Sequence, residues 1–124
     1  MPEIIHEIYV DAPIEVCFDL TRDVDVHTAT TSDTKERAVE GVTSGLLEEG
    51  DTVTWEAVHF GVKQQLTARI TEMERPYYFK DELVKGAFKW FVHTHEFEKQ
   101  GTGTLMRDRF VYASPFGFIG KLAD

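Results

Sequence analysis

Apolar and polar positions change period along the chain. Ile4, Ile5, Ile8, Tyr9 and Val10 read as a first strand. The segment DAPIEVCFDL then takes a helical period. Ile14, Cys17, Phe18 and Thr21 share one face, with Pro13 suited to open the helix and Asp11 to cap it. Asp23 is a second cap-like residue ahead of VDVHTA, enough for one or two more turns, and TTSDTK is a polar loop. From Glu36 to Tyr112 the period is that of β structure. Strand-like runs fall at Arg37–Glu40, Asp51–Phe60, Lys63–Glu72, Tyr77–Val84, Phe88–Glu98 and Thr104–Tyr112, punctuated by Gly45, Gly50, Gly61, Pro76, Gly86 and the Gly101/Gly103 pair. After Pro115, FGFIGKLAD reads as the first turns of an apolar helix. The predicted class is α+β: a strand, two short helices, an antiparallel meander giving about six to seven strands in all, and a terminal helix.

Turn positions predict which side chains share a face. With Gly101 and Thr102 at a two-residue tip, Gln100 pairs with Gly103. Phe91, His93, His95 and Phe97 then stand opposite Tyr112, Phe110, Asp108 and Met106. The other face carries Val92, Thr94 and Glu96 against Val111, Arg109 and Arg107, with a Glu96–Arg107 ion pair that marks it as solvated. The histidines therefore point inward, with Asp108 opposite His95. With Gly61 and Val62 at the tip of the earlier hairpin, Val53, Trp55, Ala57 and His59 share a face with Ile70, Ala68, Leu66 and Gln64. Thr54, Glu56, Arg69 and Thr67 lie on the other. In the next strand the alternation favours Phe79, Asp81 and Leu83 inward. A longer turn around Lys85 to Ala87 would reverse that strand's faces. An inner surface that is aromatic yet carries His59, Gln64, His93, His95, Asp108 and, on the favoured alternation, Asp81 holds more polar groups than a dry core tolerates. It suits a cavity whose apolar walls take a ligand and whose few polar groups orient it.

Composition narrows the partners. A chain of 124 residues is the size of one domain, 1–124, and 42% apolar residues with nine Phe suffice for a core and a lined cavity. Thirteen Lys plus Arg against 22 Asp plus Glu give a formal charge of -9, which repels phosphate backbones and anionic lipid surfaces, so no nucleic acid is expected. The acidic Glu48, Glu49 and Asp51 read as solvation. No run approaches membrane-spanning length, so no membrane insertion is expected. The lone Cys17 reads as a small buried hydrophobe in a reducing compartment, which points to the cytoplasm.

The motifs DAPIEVCFDL, GLLEEGDTVTWEAVHFG, FVHTHEF and GTLMRDRFVYASPFG, in this order, resemble the START-like helix-grip fold of the SRPBCC superfamily. The likeness is to small bacterial members of the polyketide cyclase/dehydrase type, and it spans nearly the whole chain. It implies a curved antiparallel sheet gripping a C-terminal helix, with an apolar ligand between them and no cofactor or metal. FGFIGKLAD supplies only the start of such a helix. The expectation is either a helix cut short or another cover for the concave face, which a second copy in a homodimer could supply.

Three readings of the site follow. In the first, Trp55, Phe79, Phe88, Phe91, Phe110 and Tyr112 line the walls, and His59, Gln64, His93, His95 and Asp108 orient the polar end of a hydrophobic or amphipathic molecule. In the second, the chain is a cyclase or dehydratase. Asp108 then sets the tautomer of His95 and raises its basicity for proton transfer. The third is a protein-interaction module using the concave face. His93-x-His95 with Asp108 offers acceptable ligand types for zinc or iron, with His59 as a further nitrogen, but no metal is expected from the resemblance. Ser32, Ser44 and Ser114 lie in no nucleophile-elbow context, and phosphate- and dinucleotide-binding fingerprints are missing.

Overall fold

A computed structural model of the chain describes residues 2–30, 36–59, 61–86 and 90–113, with His59 described by its backbone alone. Phe88 and the terminal helix expected after Pro115 lie outside the described residues. Strand β1 (Glu3–Val10) is followed by helices α1 (Ile14–Thr21) and α2 (Val24–Thr30). Then come β2 (Arg37–Gly41), β3 (Thr52–His59), β4 (Val62–Glu74), β5 (Tyr78–Lys85), β6 (Trp90–Gln100) and β7 (Gly103–Ala113). They form one seven-stranded sheet in the order β1-β7-β6-β5-β4-β3-β2. Every neighbouring pair is antiparallel. The chain thus closes its first strand onto its last, and the helix pair carries it from one edge of the sheet to the other.

Local chemistry explains most of these boundaries. The Asp23 carboxylate accepts hydrogen bonds from the backbone N–H groups of Asp25 and Val26 at 2.9 and 3.2 Å, capping α2 as its sequence position implies. At α1 the expected cap is corrected. Pro13 occupies the N-cap position without a side-chain cap, and its carbonyl accepts from Val16 and Cys17, each at 3.1 Å. Asp11 stands two residues too early to reach the first turn. It accepts instead from the Thr102 hydroxyl at 3.2 Å.

The β6–β7 hairpin has the predicted register, with Gln100 opposite Gly103, Phe91 opposite Tyr112 and His95 opposite Asp108. The β3–β4 hairpin does not. His59 pairs with Val62, Trp55 with Leu66 and Val53 with Ala68, a two-residue slip from expectation. Pairing of His59 with Val62 leaves a two-residue connection in which Gly61 takes φ +75°, a left-handed conformation favoured in such loops. A slip of two preserves the faces, so Trp55 and Leu66 remain inward. On the outer face the slip brings Thr54 against Thr67, and their hydroxyls hydrogen-bond at 2.7 Å. Farther along that face, Arg109 donates to Glu96 at 2.9 Å and Arg107 approaches the same carboxylate at 3.6 Å.

One core cluster joins Ile14, Cys17 and Phe18 of α1 and Val24 of α2 to Val53, Ile70, Phe79 and Phe97 of the sheet. Phe18 is fully buried and meets Phe79 and Phe97 edge-on, with ring centroids 5.4 and 5.2 Å away. A second cluster holds Ala68, Phe91 and Tyr112, with Leu66, Leu83 and Phe110 packed on it. Buried Arg22, just past α1, is satisfied by Asp19, by Glu48 and by the Leu47 carbonyl at 3.1 Å.

Gly103 shows how closely β1 approaches β7. A Cβ there would run into the Tyr9 hydroxyl and the Val10 carbonyl oxygen. Because the carbonyl is backbone and cannot swing away, Gly103→Ala is expected to cost about 1–3 kcal/mol, as overpacking does. Urea denaturation checks this, and a loss under about 0.5 kcal/mol, the scatter of a neutral surface change, would contradict it.

Candidate ligand-binding site

Pairing across β5, β6 and β7 assembles the site. Asp81 stands opposite His93 and Phe79 opposite His95. On the other side of β6, Phe110 faces His93 and Asp108 faces His95. His6 of β1 occupies the register position on the far side of Asp108. Inward alternation thus sets four polar groups, Asp81, His93, His95 and Asp108, in an aromatic surface. Phe79 stacks on His95 with centroids 4.3 Å apart, and Phe110 meets His93 edge-on at 5.4 Å. The two imidazoles lie 3.9 Å apart at 33°.

His95 Nδ1 lies 3.0 Å from Asp108 Oδ1, the one contact within hydrogen-bonding distance in the group. Around it run longer ionic approaches: His93 Nε2 to Asp108 at 3.7 Å, His93 Nδ1 to Asp81 at 3.8 Å and His95 Nε2 to Asp81 at 3.9 Å. Burial works against a charged His95. The hydrogen bond to Asp108 and the negative field of Asp81 and Asp108 outweigh it, and its pKa is pushed up to about 9. Burial would likewise raise the Asp108 carboxyl. The two histidines overcome this and hold it well below the usual carboxylate range. The oxygen Oδ1 of Asp81 is buried and makes no hydrogen bond among the described residues.

Two cavities meet at this cluster. The larger of the two, about 310 Å³, is walled by Trp55, Leu66, Phe91 and Phe110, with Gln64, Gln65, Asp81 and His93 among its polar groups. The smaller, about 190 Å³, lies between the helices and the sheet and reaches Phe79, His95 and Asp108. His27, Trp55, Asp81 and His93 belong to both walls.

The structure therefore brings Trp55, Gln64, Phe91, His93 and Phe110 to the larger cavity and Phe79, His95 and Asp108 to the smaller one. Tyr112 belongs to the second apolar cluster and stacks on Phe110 at 5.3 Å, but it lines neither cavity. Phe88 and the His59 side chain fall outside the described residues.

Among the lining residues that sequence reasoning did not place at the site are His27 and Glu36. His27 packs on Trp55 with centroids 4.1 Å apart and the rings tilted by 37°, and its Nε2 lies 2.9 Å from Glu36 Oε1. The periodicity of α2 held a signal for His27, which follows buried Val24 by three residues and so shares its face. Glu36 had no such signal, because its place depends on that pairing.

An apolar cavity between a curved seven-stranded antiparallel sheet and a helix pair is the arrangement of the helix-grip class, the SRPBCC type. Residues 10–123 match the family described as "Polyketide cyclase / dehydrase and lipid transport", and the chain belongs to that family. Among solved structures, TTHA0849 from Thermus thermophilus superposes with a TM-score of 0.76 at 22% identity, covering 98% of this chain and 80% of that one. Protein Ms6760 from Mycobacterium smegmatis gives 0.72 at 18% identity, over 98% and 78% of the two chains. The major latex-like protein 151 of Panax ginseng gives 0.68 at 15%, over 98% and 88%. At these identities the likeness is one of fold. No curated protein sequence matches the chain. Among the described residues no helix is long and apolar enough to cross a membrane.

Proposed function

We propose that the chain binds a hydrophobic or amphipathic small molecule in the 310 Å³ cavity. Its apolar body lies against Trp55, Leu66, Phe91 and Phe110, and its polar end is turned toward His93 and Asp81, with His95 and Asp108 next to them. The observation that carries this reading is a cavity whose aromatic and aliphatic walls are interrupted by a few polar groups, with Asp81 and His93 joining it to the His95–Asp108 pair. That volume sits at the small end of the ~300–1,000 Å³ usual for ligand pockets. The family description, with its lipid transport, supports the reading. The formal charge of -9 argues against nucleic acid as an alternative occupant.

Native mass spectrometry of gently purified protein tests the proposal, with denaturing extraction of whatever co-purifies. An adduct of a few hundred daltons, of the size such pockets hold, is expected. Ala57 lines the cavity, so Ala57→Trp is expected to abolish the adduct while the chain stays folded by circular dichroism. An adduct retained at wild-type occupancy in that variant would place the ligand elsewhere. A bare dimer from the wild type, without adduct, would turn the reading toward an interaction module.

One observation favours a second reading, proton transfer on a polyketide-like substrate. With its pKa near 9, His95 carries a proton at neutral pH and is suited to donate it as a general acid, not to act as the base. Turnover of an extracted substrate that survives His95→Gln unchanged would end that reading.

A further inference from the structure

Asp81 on β5 and His93 and His95 on β6 each offer one ligand-type atom to a common point. One Asp81 carboxylate oxygen and one ring nitrogen of each histidine lie within 4.8 Å of one another. Three features separate this group from an ordinary ion-pair network. The first is spacing. Asp81 Oδ1 to His93 Nδ1 is 3.8 Å and Asp81 Oδ2 to His95 Nε2 is 3.9 Å. These are too long for hydrogen bonds and, measured to the two different carboxylate oxygens, exceed by about half an ångström the ~3.3–3.4 Å that separates two ligands on a tetrahedral zinc ion with ~2.0–2.1 Å bonds, so the side chains close in slightly on binding. The second is orientation. Asp108 engages Nδ1 of His95 at 3.0 Å, which leaves Nε2 as the nitrogen facing Asp81. A carboxylate on the far nitrogen is the usual way to orient an imidazole that binds metal. The third is the buried Asp81 Oδ1, which makes no hydrogen bond among the described residues. Such an oxygen is costly in a dry wall and satisfied on a cation.

Charge agrees with this geometry. Asp81 and Asp108 set two carboxylates beside the histidines, and a divalent ion would replace the proton that His95 otherwise carries, both imidazoles binding it in their neutral form. Two nitrogens and one carboxylate suit zinc and the neighbouring transition metals better than calcium or magnesium, which prefer oxygen shells.

We propose that Asp81, His93 and His95 bind a divalent transition-metal ion, zinc by their donor set, and that Asp108 positions His95 for it. Asp81 and His93 line both cavities, so an open coordination position would face the ligand space and could take an oxygen of a bound molecule. The site goes beyond the ligand-binding reading and does not depend on it, since a metal can bind whether or not the cavity takes an organic molecule.

The test uses the full chain, stripped with a chelator and titrated with Zn²⁺ by calorimetry and with Co²⁺ by visible absorption. One ion per chain is expected, with Co²⁺ developing the d–d bands of a low-symmetry nitrogen and oxygen site. Asp81→Asn and His93→Gln should each weaken Zn²⁺ at least about 100-fold, and Asp108→Asn about 10–100-fold, as loss of an orienting partner does. His93 is partly exposed, so His93→Gln is the variant that keeps the core intact, and circular dichroism confirms the fold of each. The proposal is overturned if neither ion binds one-to-one, or if Asp81→Asn and His93→Gln both leave the affinity unchanged. An affinity unchanged in Asp108→Asn alone would remove Asp108 from its positioning role. An organic adduct found in a chain that binds neither ion would sink the metal site and leave the ligand reading standing.

Discussion

In the metal-free protein, Asp108→Asn is expected to lower the pKa of His95 from about 9 by more than about one unit, a tenfold loss of proton affinity. The imidazole side chain is only 12% exposed, so burial disfavours its charge. Asparagine keeps the shape of the aspartate while removing the charge that opposes this cost. Asp81 remains near Nε2 and His93 beside the ring; His6 stands across β7 in register, and Arg22 lines the same cavity. These groups set how far the value falls. Ring-proton NMR titration reads it directly, and a value still near 9 in the variant would show that Asp108 does not hold the proton.

The same shift makes stability depend on pH. The folded pKa of His95 lies above its ordinary 6.5, so its contribution is complete below pH 6.5 and is lost as pH rises to and through 9. For a rise of that size the contribution is on the order of 3 kcal/mol. Asp108 has the opposite sign. Its folded pKa is depressed, so its contribution is present above the ordinary carboxylate range and is lost as pH falls through the depressed value. Both are one coupling seen from two sides and count once. Urea denaturation at a series of pH values should show wild-type stability falling between pH 6.5 and 9 with a slope that Asp108→Asn flattens.

Phe18→Ala is expected to cost about 3–5 kcal/mol, the range for emptying a buried aromatic site. Among the described residues Phe18 is the largest side chain fully removed from solvent, and its ring holds α1 against Phe79 and Phe97. The guanidinium of Arg22 lies over the same ring, 5.4 Å from its centroid. The hole is bounded by β5 and β6, whose pairing into the sheet limits how far they can collapse to refill it. Since a domain of this size is stable by only about 5–15 kcal/mol, the variant should be marginal at room temperature. Equilibrium urea denaturation measures the loss. A cost below about 1 kcal/mol, the centre of the distribution for all point substitutions, would mean that α1 is anchored elsewhere. Because Phe79 also stacks on His95, the variant should loosen the site as well, visible as broadened His95 ring resonances.

Particular residues show why some features were legible and others not. The β6–β7 register followed from one turn, QGTG, whose glycine and length constrain it, and it put Asp108 against His95 without tertiary information. The HFGVKQ turn holds a single glycine that fits either of two loop positions, and the slip of two residues came from choosing the wrong one. The inward placement of the aromatic set survived because a slip of two leaves every side chain on its own face. Capping by Asp23 was legible because a cap acts within three residues. The failure at Asp11 belongs to the same local chemistry, since a carboxylate two residues before the N-cap cannot reach the first turn.

The sequence by itself determined the order of elements, the inward faces of the strands and the sharing of one surface by His93, His95 and Asp108. Each of these depends on short-range periodicity and on turns that act over a few residues. Alternation already favoured Asp81 inward; only the tertiary structure decided that β5 sets it opposite His93, that His27 of α2 and Glu36 share the wall with Trp55, and that Tyr112 lines neither cavity. These placements depend on how β5 meets β6 and how the helices cross the sheet. Both are outcomes of packing summed over distant residues, such as Phe18 against Phe79 and Phe97, for which no local pattern in the chain carries a signal.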